Sequence, residues 1–294
     1  MSPGTAGHVT RSSKSPRLET APDAPVRTFL RTADGVTIEA AHDPGTESSG
    51  DLAFIVAHGF TGDLDRPAVR RTAAVLARRG AVVTFSFRGH GRSGGRSTVG
   101  DREVLDLAAA VAWARELGHT RIVTVGFSMG GSVVLRHAAL YGKKERGPLP
   151  GEPVSGGERE ERARARTDAV VSVSAPARWY YRGTAPMRRV HWLVTRPGGR
   201  IVSRVGLRTR IHPRDWDPVP ASPVECVPDI TPTPLLVVHG DRDGYFPLDH
   251  PRMLAEASGG HAELWLEHGM GHAENAATDA LLTRIGDWAA THPG

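Results

Sequence analysis

The 294-residue chain carries 37 Lys and Arg against 32 Asp and Glu, a formal net charge of +5, with 39% hydrophobic and 23% charged residues. That balance is ordinary for a soluble globular protein, and no stretch approaches the 18 to 20 apolar residues of a transmembrane helix. A single cysteine, Cys226, excludes an intrachain disulfide, and no Cys/His cluster has zinc-site spacing.

Residues 1 to 25 are rich in Ser, Thr, Pro and charge and are expected to be a disordered tail. They contain no apolar run of signal-peptide type, so the expected location is the cytoplasm. Two short β-type runs then flank Asp34-Gly35, a hairpin signal. "LAFIVAHG" (52–59) is apolar without alternation, as befits a strand buried on both faces of a parallel sheet.

From there strands and helices alternate. Pro67 opens a helix expected to reach Arg79, "AVVTFSF" (81–87) reads as a strand, and Asp101 is placed to cap a helix ending near Gly118. "RIVTVGF" (121–127), "AVVSVSA" (169–175), "PLLVVHG" (234–240) and "AELWLEH" (262–268) are further strands, and the last helix turns Leu281, Leu282, Ile285 and Trp288 inward. This order predicts an α/β fold with a mostly parallel central sheet and helices on both faces.

Two segments interrupt the rhythm. Residues 143 to 166 hold 12 charged residues in 24 and almost no aliphatic ones, which reads as a solvated loop. Residues 177 to 230 are aromatic and basic and too long for a plain connection, so a small helical insertion is expected, with Trp179 and Trp192 as candidate pocket residues. The domain reading is thus a core of 26–176 and 231–294, with 177–230 inserted.

The chemistry centres on "GFSMG" (126–130), a G-x-S-x-G stretch between an apolar strand and a helix. Ser128 on such a sharp turn is presented as a nucleophile, and the helix that starts at Met129 aims its first N–H groups at a developing oxyanion. A serine needs a base. His272 lies in "GMGH" after the last predicted strand, with His268 as its local competitor. A carboxylate must fix the imidazole tautomer; "GDRDGYF" offers Asp241 and Asp243, of which Asp243 projects from the loop. The order Ser128, Asp243, His272 is that of the α/β-hydrolase pattern. "VAHGFTGD" (56–63) supplies a second oxyanion donor at the Phe60 amide, with His58 bonding the loop backbone.

Together "HGFTG", "SFRGHGRSGG", "GFSMGG", "HGDRDGYFP" and "GMGHAE" resemble the serine-hydrolase branch of the α/β-hydrolase superfamily, closest to its carboxylesterase, monoacylglycerol-lipase and serine-aminopeptidase-like group. The resemblance implies the α/β-hydrolase fold and a cap over the site, matching 177–230. It carries the oxyanion donors onto Phe60 and Met129 and the triad onto Ser128, Asp243 and His272. It implies hydrolysis of a small acyl ester through an acyl-enzyme, with no metal or organic cofactor. Thioester or amide hydrolysis, acyl transfer and perhydrolysis use the same triad and stay open, as does a catalytically silent small-molecule receptor. "SFRGHGRSGG" lacks the residues of a phosphate loop and is expected to shape the sheet edge. Residues 177 to 214 hold ten arginines and no acid. They read as a solvated surface, a guanidinium-lined entrance for acidic substrates or, less favoured, a face for anionic membrane; nucleic acid is not an expected partner.

Overall fold

The computed structural model describes residues 25–46, 51–142 and 156–292. The strands are β1 (Val26–Arg31), β2 (Thr37–Asp43), β3 (Leu52–Ala57), β4 (Ala81–Phe85), β5 (Arg121–Phe127), β6 (Ala169–Val173), β7 (Leu235–Gly240) and β8 (Ala262–Glu267). They form one sheet in the order β1-β2-β4-β3-β5-β6-β7-β8. β2 runs antiparallel to both neighbours, and every other pairing is parallel. The hairpin around Asp34-Gly35 is the β1-β2 pair, in register from Val26↔His42 to Arg31↔Thr37.

Every residue of β3, β4, β6 and β7 is buried, which is why these runs are apolar without alternation. Odd and even side chains feed two cores. Ile55, Val83 and Ile122 face one core with α2 (Glu103–Glu116) and α3 (Met129–Tyr141). Phe54, Val56 and Val125 face the other, filled by Val69 and Leu76 of α1 (Pro67–Leu76) and by Leu282 and Ile285 of α10 (Asp279–Thr291). Between α3 and α10 lie α4 (Gly156–Arg164), α5 (Ala185–Thr195), α6 (Pro197–Gly206), α7 (Pro223–Cys226), α8 (Asp249–Ala257) and α9 (Ala273–Ala276).

Several expectations need correction. The charged stretch expected as a loop holds α4 over Gly156–Arg164; residues 143–155 of it, like the 1–24 of the expected tail, lie outside the described residues. Its run of Glu and Arg is a strong helix-former even without an apolar face. Asp101 does not cap α2, whose N-cap is Arg102 without a side-chain bond. The Asp101 carboxylate instead meets Arg136 at 3.4 Å. The first turn of α2 is organised by Glu103, which accepts from the amides of Thr98, Val99 and Gly100 and the hydroxyls of Ser97 and Thr98. "SFRGHGRSGG" follows the C-terminal end of β4, inside the sheet between β2 and β3; buried Arg88 is held by Asp106 at 2.8 Å and Asp34 at 2.7 Å, so its charge is neutralised within the fold.

Among the described residues no helix is long and apolar enough to cross a membrane, and no group of three His, Cys, Asp or Glu side chains is arranged to hold a metal ion. Residues 177 to 230 contain α5, α6 and α7 and cross the C-terminal edge of the sheet, where Ile211 bridges to Ser97.

Candidate active site

Parallel strands put their C-terminal ends on one edge, and the loops leaving that edge build the site. Ser128 stands between β5 and α3 with φ 52 and ψ −113. A non-glycine residue held there stores roughly 1–3 kcal/mol of strain. The fold holds it through the Ser128 N–H bond to the Val173 carbonyl, 2.9 Å, and the Ser132 N–H bond to the Ser128 carbonyl, 3.1 Å. The flanking glycines are steric necessities: a Cβ on Gly126 would collide with the Gly130 carbonyl, and one on Gly130 with that of Ala57.

His272 leaves β8 and precedes α9. Its Nε2 lies 2.9 Å from Ser128 Oγ, and its Nδ1 lies 2.8 Å from Asp243 Oδ2. With Nδ1–H donating to the carboxylate, Nε2 is free to accept the serine hydroxyl. The Asp243 side chain is fully buried, and its Oδ1 accepts from the amides of Tyr245 (2.8 Å) and Phe246 (3.1 Å). Burial by itself would raise this carboxyl; the hydrogen bond and charge of His272, with the two amides, outweigh it and hold the group below the ordinary value. The competing pair is drawn elsewhere. His268 Nδ1 bonds Asp241 Oδ2 at 2.7 Å, Asp241 Oδ1 takes the Gly269 amide, and the His268 side chain is 90% exposed.

Phe60 and Met129 line the same cavity as Ser128 and His272. The Met129 amide is the first of α3, where a helix has no acceptor of its own to offer. His58 is fully buried; its Nε2 accepts from the Phe87 amide at 3.0 Å and its Nδ1–H donates to the Gly59 carbonyl at 2.7 Å. Desolvation drives its pKa down to about 3, so it serves this loop as a neutral ring.

The cavity measures about 440 Å³. Trp179 lines it, with its Nε1–H bonded to the Pro220 carbonyl at 2.9 Å. Trp192 does not. The residues α5 turns into the cavity include Met187, Val190, His191 and Val194, one helical stripe, and Trp192 falls off it and stands 47% exposed. Three arginines of residues 177–230, Arg178, Arg200 and Arg214, border the cavity. Others bond backbone: Arg188 the carbonyls of Arg182 and Gly183 within residues 177–230, and Arg210 that of Ser93 outside them.

Residues that motif reading passed over complete the site. Trp216 lines the cavity and donates Nε1–H to the Thr98 carbonyl at 2.7 Å. Tyr245 stacks on the His272 ring at 4.1 Å between centroids. Ser174, itself at φ 52, accepts from the Ala273 amide at 3.1 Å and so anchors the turn after His272. Glu274, two residues beyond His272, is buried beside Gly59. Its only signal in the sequence is its place in "GHAE".

A model of the family described as "Alpha/beta hydrolase family" matches residues 54–282. No curated protein matches the sequence. Among solved structures, an esterase of Pyrococcus furiosus is 22% identical with a TM-score of 0.66, over 92% of this chain and 93% of that one. An alpha/beta hydrolase of Penicillium is 18% identical with a TM-score of 0.62, over 92% and 99% of the two chains. A protein of Butyrivibrio proteoclasticus with ferulic acid bound is 19% identical with a TM-score of 0.53, over 90% and 96%. Likeness at these identities speaks to the fold.

Proposed function

The chain belongs to the α/β hydrolase family, and from that premise we propose that it is a serine hydrolase of carboxylic esters. Ser128 Oγ attacks the acyl carbonyl while His272 Nε2 takes its proton. Asp243 holds the imidazole in the accepting tautomer and stabilises the imidazolium that forms. The carbonyl oxygen, now an oxyanion, is received by the amides of Phe60 and Met129. His272 returns its proton to the leaving alcohol, and an acyl-enzyme remains. Water, deprotonated by the same imidazole, then releases the acid and frees Ser128.

The observation that carries this reading is the unbroken relay from Ser128 Oγ through His272 to Asp243, at 2.9 and 2.8 Å, opening on an occupiable cavity. The apolar cavity wall formed by Trp179, Trp216, Met187 and Val190 suits an uncharged acyl or alcohol group. Ser128→Ala should abolish turnover of p-nitrophenyl butyrate and leave the thermal midpoint within a few degrees of the parent. Retention of most of the activity in that variant would overturn the mechanism.

A further inference from the structure

Gly59 is the pivot of the loop that offers the Phe60 amide, and glycine by itself leaves the peptides on either side free to rotate. Here both are tied. The Gly59 carbonyl accepts from His58 Nδ1 at 2.7 Å and from the Gly62 amide at 3.0 Å. In a trans peptide the carbonyl and the following N–H point in opposite directions, so holding that carbonyl turns the Phe60 N–H the other way. The Gly59 N–H, in turn, donates to Glu274 Oε1 at 3.1 Å.

Glu274 is built to hold that bond. Only 7% of the residue is exposed, yet it borders the cavity. A Cβ on Gly59 would stand 3.2 and 3.3 Å from the two Glu274 oxygens and 3.4 Å from Ser128 Cβ, so carboxylate, loop and nucleophile meet at one point. The backbone under Glu274 is fixed too. Arg71 Nη2 binds the Glu274 and Ala277 carbonyls at 2.8 and 2.7 Å, and the Ala273 amide is held by Ser174. The stretch His272–Ala273–Glu274 therefore bears the general base at one end and a brace for the oxyanion loop at the other.

We propose that Glu274 is a positioning residue that holds the Gly59 peptide so that the Phe60 N–H faces the reacting carbonyl oxygen. This rests on the serine-hydrolase reading and adds to it a physical link between the base and the oxyanion loop. The role asks for a hydrogen-bond acceptor at Oε1, and not for a negative charge.

The test compares Glu274→Ala and Glu274→Gln with the parent in three measurements: steady-state hydrolysis of p-nitrophenyl butyrate, the rate of Ser128 labelling by a fluorophosphonate, and amide hydrogen exchange at Gly59. Loss of an oxyanion donor costs about 10²–10³ in kcat, and a donor left in place but unbraced should cost less, about 10- to 100-fold. Glu274→Ala should lose that much in kcat with KM within about threefold, label more slowly in proportion, and exchange faster at Gly59. Glu274→Gln keeps an acceptor oxygen and should recover all three to within a few-fold. An unchanged kcat in the alanine variant would overturn the proposal. So would a defect confined to KM, or a glutamine variant as impaired as alanine. A parent protein that neither hydrolyses nor labels refutes the serine-hydrolase reading instead, and Gly59 exchange still reports whether Glu274 braces the loop.

Discussion

Replacing Asp243 by Asn preserves shape and burial but changes what the side chain can accept. Oδ1 receives two amide protons, from Tyr245 and Phe246, while Oδ2 faces His272 Nδ1. The asparagine oxygen will keep the Oδ1 position, because only an acceptor satisfies two donors. Its NH2 must then face Nδ1. The imidazole is driven to carry its proton on Nε2, where it donates to Ser128 and can no longer accept from it. Turning the amide over to restore the productive tautomer would set two part-buried N–H groups against an NH2, about 1–3 kcal/mol apiece. At roughly 1.4 kcal/mol per factor of ten, kcat should fall about 30- to 10⁴-fold. The paired control is Asp241→Asn, whose carboxylate serves exposed His268 and the Gly269 turn; its kcat should stay within twofold. Steady-state kinetics on p-nitrophenyl butyrate with thermal melts of both variants decides the matter. Near-parental kcat for Asp243→Asn, or a larger loss for Asp241→Asn, would rule out Asp243 as the carboxylate that orients His272.

The buried histidines set an acid limit on the fold. Burial lowers His58 and His137 to about 3, whereas in the unfolded chain both bind protons near pH 6.5. The unfolded state therefore takes up more protons below neutrality, and stability must fall as the pH drops from about 6.5 towards 3. Going from about pH 8 to about pH 5.5 should remove on the order of 3 kcal/mol through these two rings, read by urea midpoints across pH. The contribution of depressed Asp243 is lost at still lower pH, below the ordinary carboxylate range; a stability curve flat to about pH 4 would contradict both rings being buried neutral. Arg178 is paired with Asp249 at 3.2 Å, which leaves Arg200 and Arg214 at the cavity rim to favour esters whose outer end carries a carboxylate over neutral esters of equal length, with the advantage shrinking in high salt. Equal kcat/KM for the two at low salt would leave these arginines a structural role alone.

Much of the scaffold is written locally. Unalternating apolar runs mark strands covered on both faces, and the strands observed fall within the runs that predicted them. The elbow is legible for a steric reason: the backbone around Ser128 has no room for a Cβ at Gly126 or Gly130. Which histidine meets the serine, and which aspartate meets that histidine, depends on distance in space: His268 and Asp241 lie as near in sequence but bond each other.

What the sequence concealed depends on facing and on partners far along the chain. The size and company of Trp192 suggest a pocket residue, yet it stands one position off the stripe α5 turns inward. Asp101 has the chemistry of a cap, but Glu103 already gathers the amides of that turn. Helix α4 was hidden because its charged sequence has no apolar periodicity, although Glu and Arg at i, i+4 spacing favour a helix. Glu274 is the plainest case: its partner, the Gly59 amide, lies 215 residues away, and no local pattern joins them.

In the proposed mechanism His272 and Asp243 make Ser128 the nucleophile. The most direct measurement is mass spectrometry of the intact and digested protein after brief exposure to a fluorophosphonate. One adduct per chain is expected, on the peptide bearing Ser128, formed much more slowly in His272→Ala. An unmodified Ser128, or an adduct that forms as quickly without His272, would contradict it.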